Sequence, residues 1–238
     1  MKIKLFTIPN MLTLANLICG SLAVCTILST GGYNFAFMMV VLAGVFDFFD
    51  GFVARLLGQN SAIGVELDSL ADLVSFGLAP SLIMMSIFAE SEKYITNPLW
   101  LKYGYYLPLI IVAFSSLRLA KFNIDTEQKT TFIGLPTPAC ALFCSSLGML
   151  YAKGFTLTGE CVVVLSVAMA LLLISPIKMF ALKFSNFKWR GNIIRYCFLI
   201  VAAALFLLLQ LDSMPFIILL YIALSSVLHF VEEWNSAK

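Results

Sequence analysis

Residues 35–78 read FAFMMVVLAGVFDFFDGFVARLLGQNSAIGVELDSLADLVSFGL, and this stretch decides what kind of protein the chain is. Two apolar runs flank a short polar break at 58–65, and each run approaches the roughly 20 residues that a helix needs to cross a bilayer. Four acids lie in or at the ends of these runs: Asp47, Asp50, Asp68 and Asp72. The stretch therefore predicts two antiparallel membrane helices that carry four carboxylates near the same end.

The rest of the chain shares this apolar character. Its 238 residues are 61% hydrophobic and 12% charged, and the mean hydropathy is +0.97. Too few polar residues remain to cover a soluble globule of this size. A net charge of +2 also excludes the strongly basic surface of a nucleic-acid-binding protein. We therefore expect an integral membrane protein with no nucleic-acid partner.

Apolar stretches of about 20 residues predict eight membrane helices, in a single domain that covers residues 1–238. The predicted spans are 9–30, 35–57, 66–89, 104–121, 134–152, 157–180, 193–211 and 214–231. With a cytoplasmic amino terminus, 12 Lys and Arg residues fall on or near the inner side and 3 fall outside, as the positive-inside rule requires. The predicted fold class is an all-α, polytopic membrane helical bundle with both termini cytoplasmic.

The four aspartates lie in or at the ends of apolar membrane spans, where an ionised carboxylate costs free energy. An ionised Asp at the centre of a bilayer costs about 3 kcal/mol on insertion scales, so a purely structural role is hard to defend. Asp47 and Asp50 share one face of a helix, and Asp68 and Asp72 share a face of the next, because residues three or four apart are neighbours. If the two helices face each other, the four carboxylates converge at one depth.

Converging carboxylates repel one another unless cations share them. Mg²⁺ or Mn²⁺ fits better than zinc, because the neighbourhood offers oxygen ligands without Cys or His, and the only histidine, His229, is far along the chain. Two divalent ions would neutralise the four charges. Sites with two metals typically serve phosphoryl transfer, so we expect the site to act on a phosphate group.

Small and basic residues accompany the aspartates. Gly51 and Ala54 lie on the face of Asp47 and Asp50, where a nucleotide could approach the backbone closely. Arg55 can present a planar fork of donors to a phosphate. Small residues at this spacing also allow two helices to pack closely, so both interpretations of Gly51 and Ala54 stay open.

These residues form the pattern Asp47-x-x-Asp50-Gly51-x-x-Ala54-Arg55, eight residues, then Gly64-x-x-x-Asp68-x-x-x-Asp72. The pattern resembles the complete signature of the CDP-alcohol phosphatidyltransferase family. That resemblance implies transfer of a phosphatidyl group from CDP-diacylglycerol to an alcohol, with release of CMP. It also implies that the four aspartates are the metal ligands and that Asp72 is the general base, although spacing alone does not decide between Asp47 and Asp72 as the base.

The resemblance further implies a binding site for CDP-diacylglycerol. Its expected residues are Gly51, Ala54, Arg55, Ser61, Gly64, Asn10 and Thr13. Asn and Thr are also common helix caps, so capping is the alternative for Asn10 and Thr13. Homodimers are common in the family, and a homodimer is therefore expected, although no residue here identifies the interface.

Two further segments bear on the acceptor alcohol. Phe114-Ser115-Ser116-Leu117-Arg118-Leu119-Ala120-Lys121-Phe122-Asn123, with Gly134-Leu135-Pro136-Thr137-Pro138-Ala139 after it, resembles the branch of the family that uses L-serine; so does Pro9-Asn10-x-Leu12-Thr13. We expect Arg118, Lys121 and Asn123 to bind the acceptor, with the two bases on its carboxylate. A glycerol phosphate would suit these bases too, and juxtamembrane bases also anchor helices at the inner leaflet.

Three functions therefore stay open. The leading hypothesis is synthesis of phosphatidylserine from CDP-diacylglycerol and L-serine, at the cytoplasmic face of the inner, cytoplasmic membrane. A synthase that uses glycerol 3-phosphate is the second, and a cation or proton transporter is the third. The acids lie near one surface and no inverted repeat is evident, which argues against the transporter. A lipid substrate also predicts a lateral opening level with Asp47 and Arg55.

Overall fold

A computed structural model describes residues 5–59, 61–91, 103–124, 132–180 and 192–236, most of which are helical. In chain order the elements are α1 (Ile8–Thr30), α2 (Tyr33–Leu56), α3 (Ala62–Asp72), a π-helical segment (Leu73–Leu78), α4 (Ala79–Ser91), a 3₁₀ segment (Gly104–Leu109), α5 (Ile110–Ile124), β1 (Phe132–Ile133), α6 (Thr137–Ala152), α7 (Gly159–Ile174), β2 (Lys178–Met179), α8 (Ile193–Leu209), a second 3₁₀ segment (Gln210–Ser213) and α9 (Met214–Ser236).

The first helix has well-defined ends. Thr7 caps its start, because its side chain accepts a hydrogen bond from the backbone N–H of Asn10, and Pro9 occupies the first turn. At the other end Gly31 adopts a left-handed φ of 62° and its N–H bonds the carbonyl of Ile27. Chain reversal at this glycine sets α1 and α2 side by side and antiparallel.

Among the described residues, five helical segments are long and apolar enough to cross a membrane. They are Ile8–Thr30, Tyr33–Leu56, Ala62–Ser91, Gly104–Ile124 and Ile193–Asn235. The third runs through α3, the π-helical segment and α4 without a break. The prediction of a polytopic, helical membrane protein is confirmed.

The last of these segments contains two helices. Gln210 has a φ of 52° and a ψ of −133°, outside the right-handed helical region, and this residue ends α8 before the 3₁₀ segment that leads to α9. The sequence predicts the same division, with spans 193–211 and 214–231. Only Phe198 of α8 is buried, so nearly all of this helix is left facing the surroundings.

The predicted spans 134–152 and 157–180 are too long. The helices there are α6 and α7, of 16 residues each. Gly134 holds a left-handed φ of 79° before α6, and after α7 the chain leaves the helix to form β2. β2 pairs antiparallel with β1, so this two-residue strand pair replaces the predicted helix end.

The third span lies at the centre of the bundle. α4 contacts α1, α6 and α7, and its buried residues include Ile83, Met84, Ile87 and Phe88. α1 approaches the π-helical segment so closely that a Cβ on Gly20 would lie 2.6 Å from the Cα of Ser75. Glycine at position 20 is therefore required by packing rather than by backbone conformation.

The orientation of the bundle stays a prediction. Most of the bases that enter the positive-inside count lie outside the described residues: Lys2, Lys4, Lys93, Lys102, Lys129, Lys183, Lys188, Arg190 and Lys238.

Substitution of Gly20 should loosen the contact between α1 and the π-helical segment. We expect Gly20→Ala to lower the free energy of unfolding by about 1 to 3 kcal/mol, because the new methyl group meets the backbone of Ser75. The midpoint of thermal unfolding in detergent measures this. Gly44→Ala is the matched control, since its Cβ would meet only the Phe76 ring, at 3.9 Å. Equal stability of the two variants would contradict the prediction.

Candidate active site

Three helices meet at the aspartates. Asp47 and Asp50 lie in the second half of α2, and Asp68 and Asp72 lie in α3, which follows after a short turn. The amino-terminal half of α1 packs against both helices. The site therefore forms where α1 packs against α2 and α3, and aspartates from these two helices come together there.

Three of the four carboxylates form a compact group. Ligand atoms of Asp47, Asp50 and Asp68 all lie within 4.8 Å of one another. Asp47 and Asp68 are also within hydrogen-bonding distance of each other. Oδ1 of Asp68 is buried and has no hydrogen-bond partner among the described residues. An oxygen-only donor set with an orphaned buried carboxylate oxygen fits a hard divalent cation such as Mg²⁺ or Mn²⁺.

Asp72 stands beside this group rather than in it. Its carboxylate is 7% exposed and accepts a hydrogen bond from Nδ2 of Asn16, over 3.0 Å. It remains close enough to Asp47 and Asp68 to interact with them electrostatically. The four predicted ligands thus divide into three that converge, Asp47, Asp50 and Asp68, and one, Asp72, that stands outside that group.

α1 supplies hydrogen-bond donors to the aspartates. The hydroxyl of Thr13 donates to Oδ2 of Asp50 over 2.7 Å, and the amide of Asn16 donates to Asp72. Sequence reasoning misses Asn16. The signal that could have identified it is spacing, because Asn10, Thr13 and Asn16 are polar residues three apart in an apolar helix, which puts them along one face.

A cavity of about 200 Å³ opens next to the carboxylates. It is lined by residues of α1, α2, α3 and the turn between α2 and α3: Pro9, Asn10, Thr13, Asp50, Gly51, Ala54, Gln59, Ser61, Gly64, Val65 and Asp68. Six of the seven residues predicted to bind CDP-diacylglycerol are among them. The seventh, Arg55, is exposed, and its guanidinium lies near Gly51.

The structure separates the two interpretations of the small residues. Among the described residues, a Cβ on Gly51 would come within 4 Å of Arg55 alone, from the same helix, so Gly51 leaves open space there. Gly64 is different, because its Cβ would lie 3.3 Å from Oδ1 of Asn10. Ser61 caps α3 by accepting a hydrogen bond from the N–H of Gly64.

A second cavity, of about 340 Å³, lies between α5 and α7. Arg118 and Lys121 line it together with Leu117, Phe122, Ile133, Leu173, Ile174 and Ser175. Nη1 of Arg118 contacts the hydroxyl of Thr137 at 3.4 Å, while its Nε is buried and unpartnered among the described residues. The guanidinium also lies close enough to Asp72 to interact with it electrostatically. Arg118 therefore lines this cavity and also lies within electrostatic range of Asp72.

Asn123 does not line this cavity. Its amide donates a hydrogen bond to the hydroxyl of Ser69 over 2.8 Å, and so ties α5 to α3. Asn123 therefore lies on a different surface from Arg118 and Lys121, although the three residues are close in sequence.

Comparisons with known proteins agree on one family. The model of the CDP-alcohol phosphatidyltransferase family matches residues 6–181, the region from α1 to β2 that holds all the site residues above. A CDP-diacylglycerol–serine O-phosphatidyltransferase of Bacillus subtilis is 35% identical over 182 residues, which is 76% of this chain and 91% of that protein. A protein of the same name from Methanocaldococcus jannaschii is 34% identical over 74% of each chain. An archaetidylserine synthase of Methanothermobacter thermautotrophicus is 35% identical over 62% of this chain and 59% of that protein.

The carboxylate group should bind divalent metal in the purified protein. We expect Asp68→Asn to weaken Mn²⁺ binding by more than about tenfold, because it removes a charged oxygen from the centre of the group. Titration of Mn²⁺ followed by electron paramagnetic resonance measures the affinity. Asp212→Asn is the control, since that carboxylate pairs with Lys153 elsewhere in the chain. Unchanged binding in Asp68→Asn would refute the metal assignment.

Proposed function

The chain belongs to the CDP-alcohol phosphatidyltransferase family, and from that premise we propose that it transfers the phosphatidyl group of CDP-diacylglycerol to the hydroxyl of L-serine, giving phosphatidylserine and CMP. One observation carries the proposal. Asp50 and Asp68 line one cavity, and Asp72 lies within electrostatic range of Arg118, which lines the other. A donor and an acceptor can therefore meet at the same carboxylates.

The first cavity would hold the CDP group. Gly51 and Ala54 leave its wall open, so that a flat base or a diphosphate could approach α2 closely. Amide and hydroxyl groups of Asn10, Thr13 and Ser61 supply hydrogen-bonding partners at its rim. Arg55, exposed at the next turn of the helix, can reach a phosphate with its guanidinium.

The carboxylate group would hold two ions of Mg²⁺ or Mn²⁺, with Asp47, Asp50 and Asp68 as the core ligands and Asp72 at the edge. When bound, such ions offset the negative charge of the phosphates and of the departing CMP. Thr13 supports this role, because its hydrogen bond orients Asp50 within the group.

Asp72 is the better general base of the two candidates. Asp47 belongs to the compact carboxylate group, whereas Asp72 lies outside it and within electrostatic range of Arg118. In the transfer, Asp72 takes the proton of the serine hydroxyl and the hydroxyl oxygen bonds the phosphorus that carries diacylglycerol. The bond from that phosphorus to the CMP oxygen breaks, and CMP leaves with the electron pair.

Arg118 and Lys121 would bind the serine carboxylate in the second cavity. The Nε of Arg118 is a buried donor that no described residue satisfies, and an anionic acceptor would satisfy it. The names of the relatives favour serine over glycerol 3-phosphate. Asn123, tied to Ser69, would support the site from the side of α3 instead of contacting the acceptor.

Lipid access and location complete the proposal. Phe48, Phe49 and Phe52 are exposed on α2 next to the aspartates, and they support a lateral opening through which acyl chains reach the site from the bilayer. We also propose a cytoplasmic active site in the inner, cytoplasmic membrane, one catalytic domain over residues 1–238, and assembly as a homodimer.

Serine should be required for turnover. We expect purified protein with Mn²⁺ or Mg²⁺ to release CMP from CDP-diacylglycerol when L-serine is added, because the leaving group departs only as the acceptor attacks. Chromatography of CMP measures this, and Asp72→Asn should lower the rate by about 100-fold or more. Release that needs glycerol 3-phosphate instead would overturn the serine assignment. No release with any acceptor, together with cation uptake into proteoliposomes, would favour the transporter.

Arg118 should set the affinity for serine. We expect Arg118→Gln to raise the KM for serine by about tenfold or more, because a charge-assisted hydrogen bond to the carboxylate is lost, while the KM for CDP-diacylglycerol changes little. Steady-state kinetics with each substrate varied in turn measure both constants. Lys178→Gln is the control, since Lys178 is exposed and 3.8 Å from Glu232. An equal rise of both constants would contradict a specific role in serine binding.

A further inference from the structure

Asn16 is a buried polar side chain in the middle of a membrane helix. It is fully buried, and its Nδ2 donates a hydrogen bond to Oδ1 of Asp72 over 3.0 Å. The orientation of the amide follows from chemistry, because the opposite orientation would set a carbonyl oxygen against a carboxylate oxygen. No position of the aspartate signature includes this residue.

The backbone of Asn16 is also hydrogen-bonded by a residue of the π-helical segment. The hydroxyl of Ser75, in the π-helical segment, donates to the backbone carbonyl of Asn16 over 3.0 Å. One turn along α1, Gly20 lets Ser75 come this close, since any Cβ there would overlap the Ser75 side chain. A π-helical turn shifts the register of the helix that follows it, and here it begins directly after Asp72. The backbone on both sides of the Asn16–Asp72 contact is thus tightly constrained.

The contact is not explained by stability alone. Oδ1 of Asn16 is buried without a hydrogen-bond partner among the described residues, which costs free energy in an apolar surrounding. An apolar residue of similar volume would avoid that cost. What Asn16 supplies in return is a donor aimed at the one aspartate that lies outside the compact carboxylate group.

We propose that Asn16 is a positioning residue of the transfer reaction, which holds the Asp72 carboxylate apart from Asp47, Asp50 and Asp68. Its hydrogen bond occupies Oδ1 of Asp72 and leaves Oδ2 to take the proton of the acceptor hydroxyl. As that proton moves, the hydroxyl oxygen bonds phosphorus and CMP departs with the electrons of the broken bond. This inference rests on the proposed function, in which Asp72 is the base.

The test compares one variant that removes this hydrogen bond, one that removes the support of Asn16, and a control. Asn16→Leu keeps the side-chain volume and removes the donor. Ser75→Ala leaves Asn16 in place and removes its support. Ser21→Ala is the control on the same helix, because the Ser21 hydroxyl donates to the Leu17 carbonyl of its own turn and not to Asp72. Each protein is assayed for kcat, for both KM values, for Mn²⁺ affinity by electron paramagnetic resonance, and for its midpoint of thermal unfolding.

We expect kcat to fall about 10- to 100-fold in Asn16→Leu and by a smaller factor in Ser75→Ala. The KM values and Mn²⁺ affinity should stay within about twofold of wild type, and Ser21→Ala should match wild type throughout. If Asn16→Leu does not fold, the kcat of Ser75→Ala decides whether the inference holds. Wild-type kcat in the folded variants would overturn the inference, and so would a loss of kcat that follows a loss of Mn²⁺ binding. In either case serine-dependent CMP release by wild type would leave the proposed function intact, whereas its absence would refute the proposed function itself.

Discussion

The repulsion between carboxylates gathered at one end of two membrane helices is the constraint on which the rest of the structure depends. Carboxylate oxygens of Asp47, Asp50 and Asp68 lie within 4.8 Å of one another, and such a group persists only if positive charge or hydrogen-bond donors offset it. α1 supplies the donors, through Thr13 to Asp50 and Asn16 to Asp72. The close packing of α1 against α2 and α3 is therefore part of the site as well as of the fold.

Features that depend on the spacing of residues within one segment can be predicted from the sequence. The aspartates recur at helical intervals, so their common face can be read from residue numbers, and the open wall at Gly51 follows from the same geometry. The apolar runs likewise predict most of the helices, because a bilayer demands about 20 apolar residues of each span. Even the division between α8 and α9 is visible, as a short polar break around Asp212.

Features that depend on contacts between distant segments are not visible in the sequence. The span at 157–180 is wrong beyond Ile174 because a pairing with β1, some 45 residues earlier, draws the chain into a strand. Asn123 adjoins Arg118 and Lys121 in sequence, yet it turns to Ser69 on another helix. The π-helical segment leaves no mark in the apolar pattern, and without its register the contact of Asn16 with Asp72 cannot be anticipated.

The aspartates divide into a group of three and a separate Asp72, and this division allows them to differ in chemical role. Four equivalent carboxylates would all serve the same cations and leave none to accept a proton. Asp72 differs from the others in its place, since it lies outside the group of Asp47, Asp50 and Asp68 and within electrostatic range of Arg118. In the proposed reaction the same residue type would therefore perform two tasks in one site, because the partners of each carboxylate, and not its identity, would determine whether it holds a metal or moves a proton.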